Sequence, residues 1–406
     1  MVHRIIDSYK VSFSGLSRET WLLSIVILIN RCGYMAVPFM SMYITQNLHR
    51  SIADAGLIIT LFGVGSVLGA MAGGYLTDKW GFRPVQMFSL VLSGIFFVLF
   101  GLVSDFTTLC FLIVALSFFV EAFKPANITA IAAYSKRENL TRSYALNRLA
   151  MNIGFGFGTS VGGILAAINY HLLFWVDGVV YVLAGLLILV MLPKRKVNRE
   201  VIETTQAQSG TQSPWRDAFF VRFLIMVSLY MICFSLLFRF VPVYWKEQMH
   251  IGESTIGILL GMNGLVIALF EMLLIQNLRD RRPDFYYIIA GTVFSGFAFV
   301  MLLIPAVAPI VLATATVLLF TTGELLALPY ISTFVMSRSS EENRGKYSAA
   351  YSVSQSAAQI FGPAAGGLIA AEWGYNALWF VLVMISFACA IGFNALFQRK
   401  MHLGNS

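Results

Sequence analysis

Long apolar stretches fill almost the whole chain and constrain its fold more than any other feature. Twelve of them are separated by turn or charge signals, and 58% of the 406 residues are hydrophobic whereas 12% are charged. A helix of about 20 apolar residues crosses the hydrocarbon core of a bilayer. The sequence therefore predicts an all-α polytopic membrane protein. The predicted spans, one to twelve, are 20–48, 52–77, 84–103, 106–134, 141–168, 170–193, 217–247, 254–278, 284–305, 308–337, 345–371 and 374–397.

Lysine and arginine residues concentrate in alternate loops. The opposite loops offer little beyond Arg50 and Lys246, so the positive-inside rule places both termini in the cytoplasm. We therefore assign the net charge of +8 to membrane orientation and not to nucleic-acid binding. We expect a monomer, integral to a bacterial inner membrane. The basic segments are the two tails and the loops 78–83, 135–142, 194–216, 279–283 and 338–346.

One polar segment divides the chain. Residues 194–216 are rich in Gln, Ser, Thr and Gly and suit a flexible linker between two six-helix bundles, 1–193 and 217–406. Such paired halves place a substrate site between them near the midplane of the membrane. The halves also share a repeat at an offset of 204 residues. It relates Pro125, Gly158, Gly162, Gly163 and Trp175 to Pro329, Gly362, Gly366, Gly367 and Trp379.

Several charged residues lie inside the apolar stretches. A charge at the bilayer centre costs about 2.5–3.5 kcal/mol on insertion scales, so each one needs a partner or water. Together they predict the lining of a solute path, and the chain is interpreted as a transporter. The charged residues are Arg31, Lys124, Arg148 and Arg239, against Glu121, Glu271 and Glu324.

The loop between spans two and three carries a specific motif. The residues from Gly74 to Arg83 read GYLTDKWGFR, and this run resembles the loop signature G-x-L-a-D-r-x-G-r-k of the major facilitator superfamily. Gly74 and Gly81 suit close backbone packing and a turn, and Asp78 suits pairing with basic groups. The resemblance implies two pseudo-symmetric six-helix bundles. It also implies a conformational latch formed by Gly74, Asp78, Gly81 and Arg83.

The same resemblance places spans one, four, seven and ten around a central cavity. Motifs such as Arg31-Cys32-Gly33-Tyr34, Lys124-Pro125 and Asn152-Ile153-Gly154 are similar to those of proton-coupled oligopeptide transporters. That family's paired glutamates are missing, however, because Ile27 and Asn30 stand in their places. The cavity residues implied are Arg31, Tyr34, Glu121, Lys124, Asn152, Arg239 and Glu324.

Glu324 and Glu121 are the candidates for proton coupling. Burial disfavours a charged carboxylate and a nearby cation favours it, so Glu324 suits a change of protonation as the cavity wets. Glu121 and Lys124 are three residues apart and share a helical face. Structural alternatives stay open: an ion pair for Glu121 or Glu324, snorkelling for Arg148, a cytoplasmic pair for Glu271, and a solvated or capping role for Asp177.

Glycines recur every four residues in span five. Gly154, Gly158 and Gly162 leave one helix face bare, which predicts close helix packing. The run resembles the antiporter motif G-x-x-x-G-P-x-x-G-G of drug exporters, except that Thr159 replaces the proline. Span eleven has the proline form at the place related by the repeat, with Gly362, Pro363 and Gly366.

Two transport functions compete. A proton-coupled, drug-efflux-like antiporter is favoured by Gly323-Glu324 and the glycine-rich span five. A proton-coupled uptake symporter for a peptide or another anionic or zwitterionic solute is the alternative, which the excess of cavity cations favours. An enzyme or a receptor is disfavoured because HExxH and GxxxxGK[ST] are absent from the sequence, and no cofactor or metal is expected. The four cysteines are isolated in different spans and are expected to be core residues.

Overall fold

The computed structural model describes residues 15–136, 139–193, 213–278, 281–305, 307–339 and 344–404. Within these ranges, helices connected by short segments make up the chain. Eleven helical stretches are long and apolar enough to cross a membrane. The last of them, Lys346–Arg399, contains Gly374 in a non-helical conformation and so accounts for two spans. The all-α fold with twelve transmembrane helices is confirmed.

We number the helices by the span that they form. The first span is broken into α1a, Arg18–Cys32, and α1b, Ala36–Met42, and a π-helical turn, Tyr43–Asn47, follows. The remaining helices are α2 Ile52–Trp80, α3 Phe82–Leu102, α4 Phe106–Tyr134, α5 Leu140–Ile168, α6 Tyr170–Met191, α7 Ala218–Glu247, α8 Glu253–Leu278, α9 Asp284–Leu303 and α10 Pro309–Arg338, then α11 (344–373) and α12 (375–404) within the helical stretch Arg344–Gly404.

Local sequence signals set the helix ends. Asp105 precedes α4, and its carboxylate accepts the backbone N–H of Thr108 over 2.8 Å, which satisfies one of the free N–H groups of the first turn. Gly81 and Gly374 have φ angles of +86° and +81°, a region that glycine adopts without strain, and they separate α2 from α3 and α11 from α12. These signals explain why the predicted boundaries of most spans lie within a few residues of the observed ones.

One compact unit comprises Met1–Val37 and Leu61–Asn198. In this unit α3 packs against α4 and α6, and α1a packs against α5 and α6. The α3–α6 contact depends on two glycines, because a Cβ added at Gly94 would lie 2.5 Å from the carbonyl oxygen of Gly178. Two backbones that approach this closely leave no room for a side chain.

The other compact unit comprises Pro38–Thr60 and Arg199–Ser406. Here α9 packs against α10 and the α11–α12 segment, and α8 packs against α10. Aromatic rings fill the core: the ring centroid of Phe334 lies 4.5 Å from that of Phe223 and 4.9 Å from that of Phe285. These rings and their buried neighbours pack α7, α9 and α10 together, and Glu324 lies on α10.

Residues 38–60 group with this second unit although they precede the predicted linker. The amide of Gln46 donates to Oε1 of Glu247 over 2.8 Å, and the hydroxyl of Tyr375 donates to Oε2 of the same carboxylate over 2.7 Å. A Cβ at Gly56 would lie 2.7 Å from the carbonyl oxygen of Pro363. The division into 1–193 and 217–406 stays a prediction, and most of the linker lies outside the described residues.

Candidate transport site

Glu324 lies on α10 and is half-buried. Its Oε2 accepts a hydrogen bond from the amide nitrogen of Asn263 on α8, over 3.0 Å. The same nitrogen donates to Oγ1 of Thr321, one turn earlier on α10, also over 3.0 Å. The carboxylate therefore has a defined orientation toward α8, at the contact between two apolar helices.

A glycine brings this carboxylate beside α9. A Cβ added at Gly323 would lie 2.7 Å from the carbonyl oxygen of Gly291 and 3.0 Å from the backbone nitrogen of Ser295. The hydroxyl of Ser295 also lies 3.1 Å from that of Tyr230 on α7. Groups of α7, α8 and α9 are thus linked to the part of α10 that carries Glu324.

Glu121 and Lys124 form an ion pair on α4, with Oε2 and Nζ 2.5 Å apart. The glutamate side chain is 10% exposed and the lysine side chain is 46% exposed. The glutamate end of the pair is therefore largely buried, and the lysine end reaches the surface. Pro125 lies inside the helix directly after the lysine. The predicted local pair is present, and its part in proton coupling stays a prediction.

Arg31 lies in the last turn of α1a, beside the break in the first span. Its guanidinium carbon lies 5.2 Å from the ring centroid of Tyr34, a cation–π geometry. Its Nε is buried and has no hydrogen-bond partner among the described residues. The carboxylate of Asp177 on α6 accepts the backbone N–H groups of Met35 and Ala36, over 3.1 and 2.8 Å.

Asp177 therefore caps the start of α1b, which is one of the two roles predicted for it. It is fully buried, so the solvated role does not apply. The exposed side chain of Arg148 fits the snorkelling alternative, whereas Glu271 is half-buried and its role stays open.

The predicted cavity residues belong to both compact units. The ion pair joins Glu121 to Lys124, and the cation–π contact joins Arg31 to Tyr34. Asn152 on α5 and Arg239 on α7 are half-buried. Their common role in one cavity stays a prediction. The first unit contains Arg31, Tyr34, Glu121, Lys124 and Asn152, and the second contains Arg239 and Glu324.

Comparison with protein families matches residues 22–362 to the Major Facilitator Superfamily. The chain belongs to this superfamily. Its members are transporters and not enzymes, so the prediction of a membrane transporter is confirmed at this level. The Glu121–Lys124 ion pair and the Asn263–Glu324 hydrogen bond are thus features of a major facilitator transporter.

Relatives of this major facilitator protein include one named as a cation/H(+) antiporter and one named as a multidrug resistance protein. It is 24% identical over 409 residues to a Na(+), Li(+), K(+)/H(+) antiporter of Planococcus maritimus, with 92% of this chain and 94% of the relative covered. It is 22% identical over 330 residues to multidrug resistance protein 1 of Bacillus subtilis (strain 168), with 80% and 83% covered. The crystal structure of the nucleoside transporter NupG superposes with a TM-score of 0.79 at 16% identity, covering 94% of this chain and 99% of that one. This last likeness shows the fold.

The superfamily loop motif has a different arrangement from the one expected. Asp78 is exposed, and no described side chain pairs with it. The Nη2 of Arg83 instead donates to the carbonyl oxygen of Leu189 near the end of α6, over 2.7 Å. Gly81 forms the turn as predicted, but the close packing predicted at Gly74 is wrong, because a Cβ there would meet no atom of the described residues within 4 Å. Its neighbour Gly73 is the residue that packs tightly, against Ala122 of α4.

The glycine faces of this superfamily member do pack closely. A Cβ at Gly154 would lie 2.6 Å from the carbonyl oxygen of Leu28, and one at Gly158 would lie 2.7 Å from that of Cys32. Helix α5 therefore lies directly against α1a. In the second unit, Gly362 and Gly366 lie against side chains of α7, namely Ser235, Ile232 and Leu236. Gly162 and Pro363 keep their packing roles as predictions.

Buried amides are the polar groups that sequence reasoning missed. Asn263 is 4% exposed and contacts Glu324. Gln86 donates to Asn127, which donates to Asn147, over 3.2 and 3.3 Å, and this chain links α3, α4 and α5. A neutral amide in an apolar span gives a weaker sequence signal than a charge. Because an unsatisfied amide is costly in lipid, its presence there was nevertheless a usable signal.

Proposed function

We propose that this protein is a secondary active transporter that exports a small organic solute in exchange for protons, by alternating access. The observation that carries the proposal is the Glu324 carboxylate, which Asn263 orients inside a pair of apolar helices. An ionisable group within a transmembrane bundle is costly unless it serves a function or has a partner. Glu324 binds a proton in one state and releases it in another, and the solute competes with the proton for the same region.

The relatives favour exchange over other modes of transport. One carries the name of a cation/H(+) antiporter and another that of a multidrug resistance protein. We therefore infer a lipophilic or cationic solute, with Glu121 as a second coupling carboxylate beside Lys124. The protein is taken to act as a monomer in a bacterial inner membrane, with both termini in the cytoplasm.

One observation favours a second candidate, the proton-coupled uptake of a peptide or another anionic or zwitterionic solute. Arg31 lies at the break in the first span, and its buried Nε lacks a hydrogen-bond partner among the described residues. A guanidinium group binds carboxylates with two parallel hydrogen bonds. A solute carboxylate would satisfy this nitrogen.

The test uses the full chain in liposomes with an imposed pH gradient. Movement of ethidium, a lipophilic cation, is compared with movement of a dipeptide, and proton flux is followed with an internal pH dye. We expect ethidium transport driven by the gradient, and a loss of about tenfold or more in Glu324→Gln if the carboxylate couples the proton. Glu372→Gln is the matched control, because Glu372 is exposed.

The two candidates give different results. Ethidium export that is driven by an inward proton gradient supports the antiporter, whereas dipeptide accumulation that is lost in Arg31→Gln supports the uptake carrier. Transport by Glu324→Gln at the rate of the unmodified protein would exclude Glu324 as the coupling group.

A further inference from the structure

We propose that Asn263 is the positioning residue of the coupling carboxylate, and that it makes the contact between α8 and α10 depend on whether Glu324 carries a proton. This inference rests on the proposed function, in which Glu324 is the coupling group. It adds a residue on another helix, 61 positions away in sequence, that responds to the proton. Asn263 acts through Glu324.

The hydrogen-bond pattern fixes which end of the Asn263 amide faces α10. The hydroxyl of Thr321 donates its only proton to the carbonyl oxygen of Val317, over 2.7 Å. Its oxygen is therefore left to accept, and the partner must be a donor. The Asn263 nitrogen is that donor, and the second hydrogen of the same NH₂ group points to Oε2 of Glu324. Thr321 thus holds the amide in the orientation that suits an ionised carboxylate.

Protonation of Glu324 changes this contact. A hydrogen bond to an ionised carboxylate is about twice as strong as one between neutral groups. A proton on the carboxyl group therefore weakens the hydrogen bond from Asn263. Because Asn263 lies on α8 and Glu324 on α10, the weakened bond loosens one helix from the other. Proton binding is in this way converted into a change in helix packing within the second unit.

The helices around α10 carry other charged and titratable groups. Helices α7, α8, α9 and the α11–α12 segment all pack against α10. The hydroxyl of Tyr230 on α7 lies 3.1 Å from that of Ser295 on α9, a residue that packs against Gly323 beside the carboxylate. Glu271 lies eight residues after Asn263, about 12 Å along α8. The charged and titratable groups of these helices include Tyr230, Cys233 and Arg239 of α7, Glu271 of α8, Asp284 of α9 and Cys389 of α12.

The first experiment measures protonation of Glu324 without a substrate. Infrared spectra of the purified full chain are recorded across a pH series, and the matching Glu324→Gln spectra are subtracted to isolate the Glu324 carboxyl band. In Asn263→Leu, which keeps the branched shape of the side chain but removes the donor, we expect the midpoint of this band to move upward by about one pH unit. Asn263→Ser keeps an O–H donor, and we expect a smaller shift in the same direction.

Thr292→Val is the matched control. Thr292 is a fully buried threonine of α9 whose hydroxyl donates to its own helix, at the carbonyl oxygen of Ile288. We expect no shift of the Glu324 midpoint in this variant, because no hydrogen bond to the carboxylate is lost. If Asn263→Leu does not fold, Asn263→Ser provides the same comparison with a smaller effect.

The second experiment separates positioning from a merely structural role. Proton-coupled ethidium transport is measured in Asn263→Leu, in Glu324→Gln and in the double variant. If Asn263 acts through Glu324, the double variant transports as slowly as Glu324→Gln alone, within about twofold. Losses that multiply in the double variant overturn the proposal, as does an unchanged infrared midpoint in folded Asn263→Leu and Asn263→Ser.

The outcome also distinguishes this inference from the proposed function. If Glu324→Gln loses coupled transport while the midpoint in the Asn263 variants stays unchanged, Glu324 is the coupling group and the role of Asn263 is overturned. If the midpoint moves but Glu324→Gln transports normally, the coupling assignment fails. Asn263 then still controls the protonation of Glu324, which supports the positioning contact alone.

Discussion

The carboxylate of Asp177 on α6 accepts the backbone N–H of Ala36 over 2.8 Å, at the point where the first span breaks. A second N–H, that of Met35, donates to the other oxygen over 3.1 Å. Helix breaks leave backbone N–H groups without partners, and lipid offers no water to satisfy them. Asp177 thus stabilises a broken helix within the membrane, next to Arg31.

We expect Asp177→Leu to destabilise the protein strongly. The substitution leaves two buried N–H groups without acceptors, at about 1–3 kcal/mol each. Asp177→Asn keeps a carbonyl oxygen, so it should lower the unfolding midpoint by less than half as much as Asp177→Leu does. The measurement is the thermal unfolding midpoint in detergent, followed by tryptophan fluorescence, with Glu372→Gln as the exposed control. Equal midpoints for Asp177→Leu and the control would contradict a capping role.

A pair of single-methyl substitutions tests the glycine contacts. The Cβ of Gly158→Ala would lie 2.7 Å from the carbonyl oxygen of Cys32, so that α5 and α1a must move apart. We expect a clear decrease in the unfolding midpoint. Gly74→Ala is the matched substitution, since its Cβ meets no atom within 4 Å in the part of the chain that the structure describes, and it should stabilise α2 by about 0.5–1 kcal/mol. The same change in unfolding midpoint for both variants would show that the close approach at Gly158 does not contribute to stability.

The sequence alone predicted the membrane spans but not the contacts around the break in the first span. Lipid requires about 20 apolar residues per helix, so hydropathy predicted span four as 106–134, the range observed for α4. The spacing of Gly154 and Gly158 likewise predicted a helix contact that is present. The Asp177 cap joins residues 141 and 142 positions apart, and the Asn263–Glu324 bond joins residues 61 apart. Such contacts depend on how helices pack, and no local pattern specifies them.

Acid should remove one contribution to stability at the start of α7. Asp217 precedes this span as its N-cap and accepts hydrogen bonds from Arg338 Nε over 2.8 Å and from the N–H of Phe220 over 3.1 Å. Partial burial raises the pKa of Asp217, but these bonds and one from Tyr347 outweigh burial and hold the pKa below its usual value. A lowered carboxyl pKa stabilises the folded state above the unfolded pKa, about 3.9. That stability is lost as the pH falls through the folded pKa.

We therefore expect Asp217→Asn to lower the unfolding midpoint by about 1–2 °C at pH 7, because the Arg338 side chain is 42% exposed and solvent weakens the pair. Below about pH 4 the difference between the variant and the unmodified protein should shrink, since both then lack the charge. Unfolding midpoints recorded across this pH range provide the measurement. A difference that stays constant down to acid pH would rule out titration of Asp217 as its cause.

Two charged residues of the loop motif, Asp78 and Arg83, should differ in their effects on transport and on stability. Asp78 is exposed without a described partner, so its neutralisation removes no contact of this conformation. Asp78→Asn should therefore leave the unfolding midpoint within about 1 °C but slow turnover about tenfold, if the latch forms in another state of the cycle. Arg83→Ala should lower the midpoint, because Arg83 donates to a carbonyl oxygen near the end of α6. Normal turnover of Asp78→Asn in proteoliposomes would remove the latch from the mechanism. A large decrease in its unfolding midpoint would instead show that Asp78 stabilises this conformation and does not act in the transition between states.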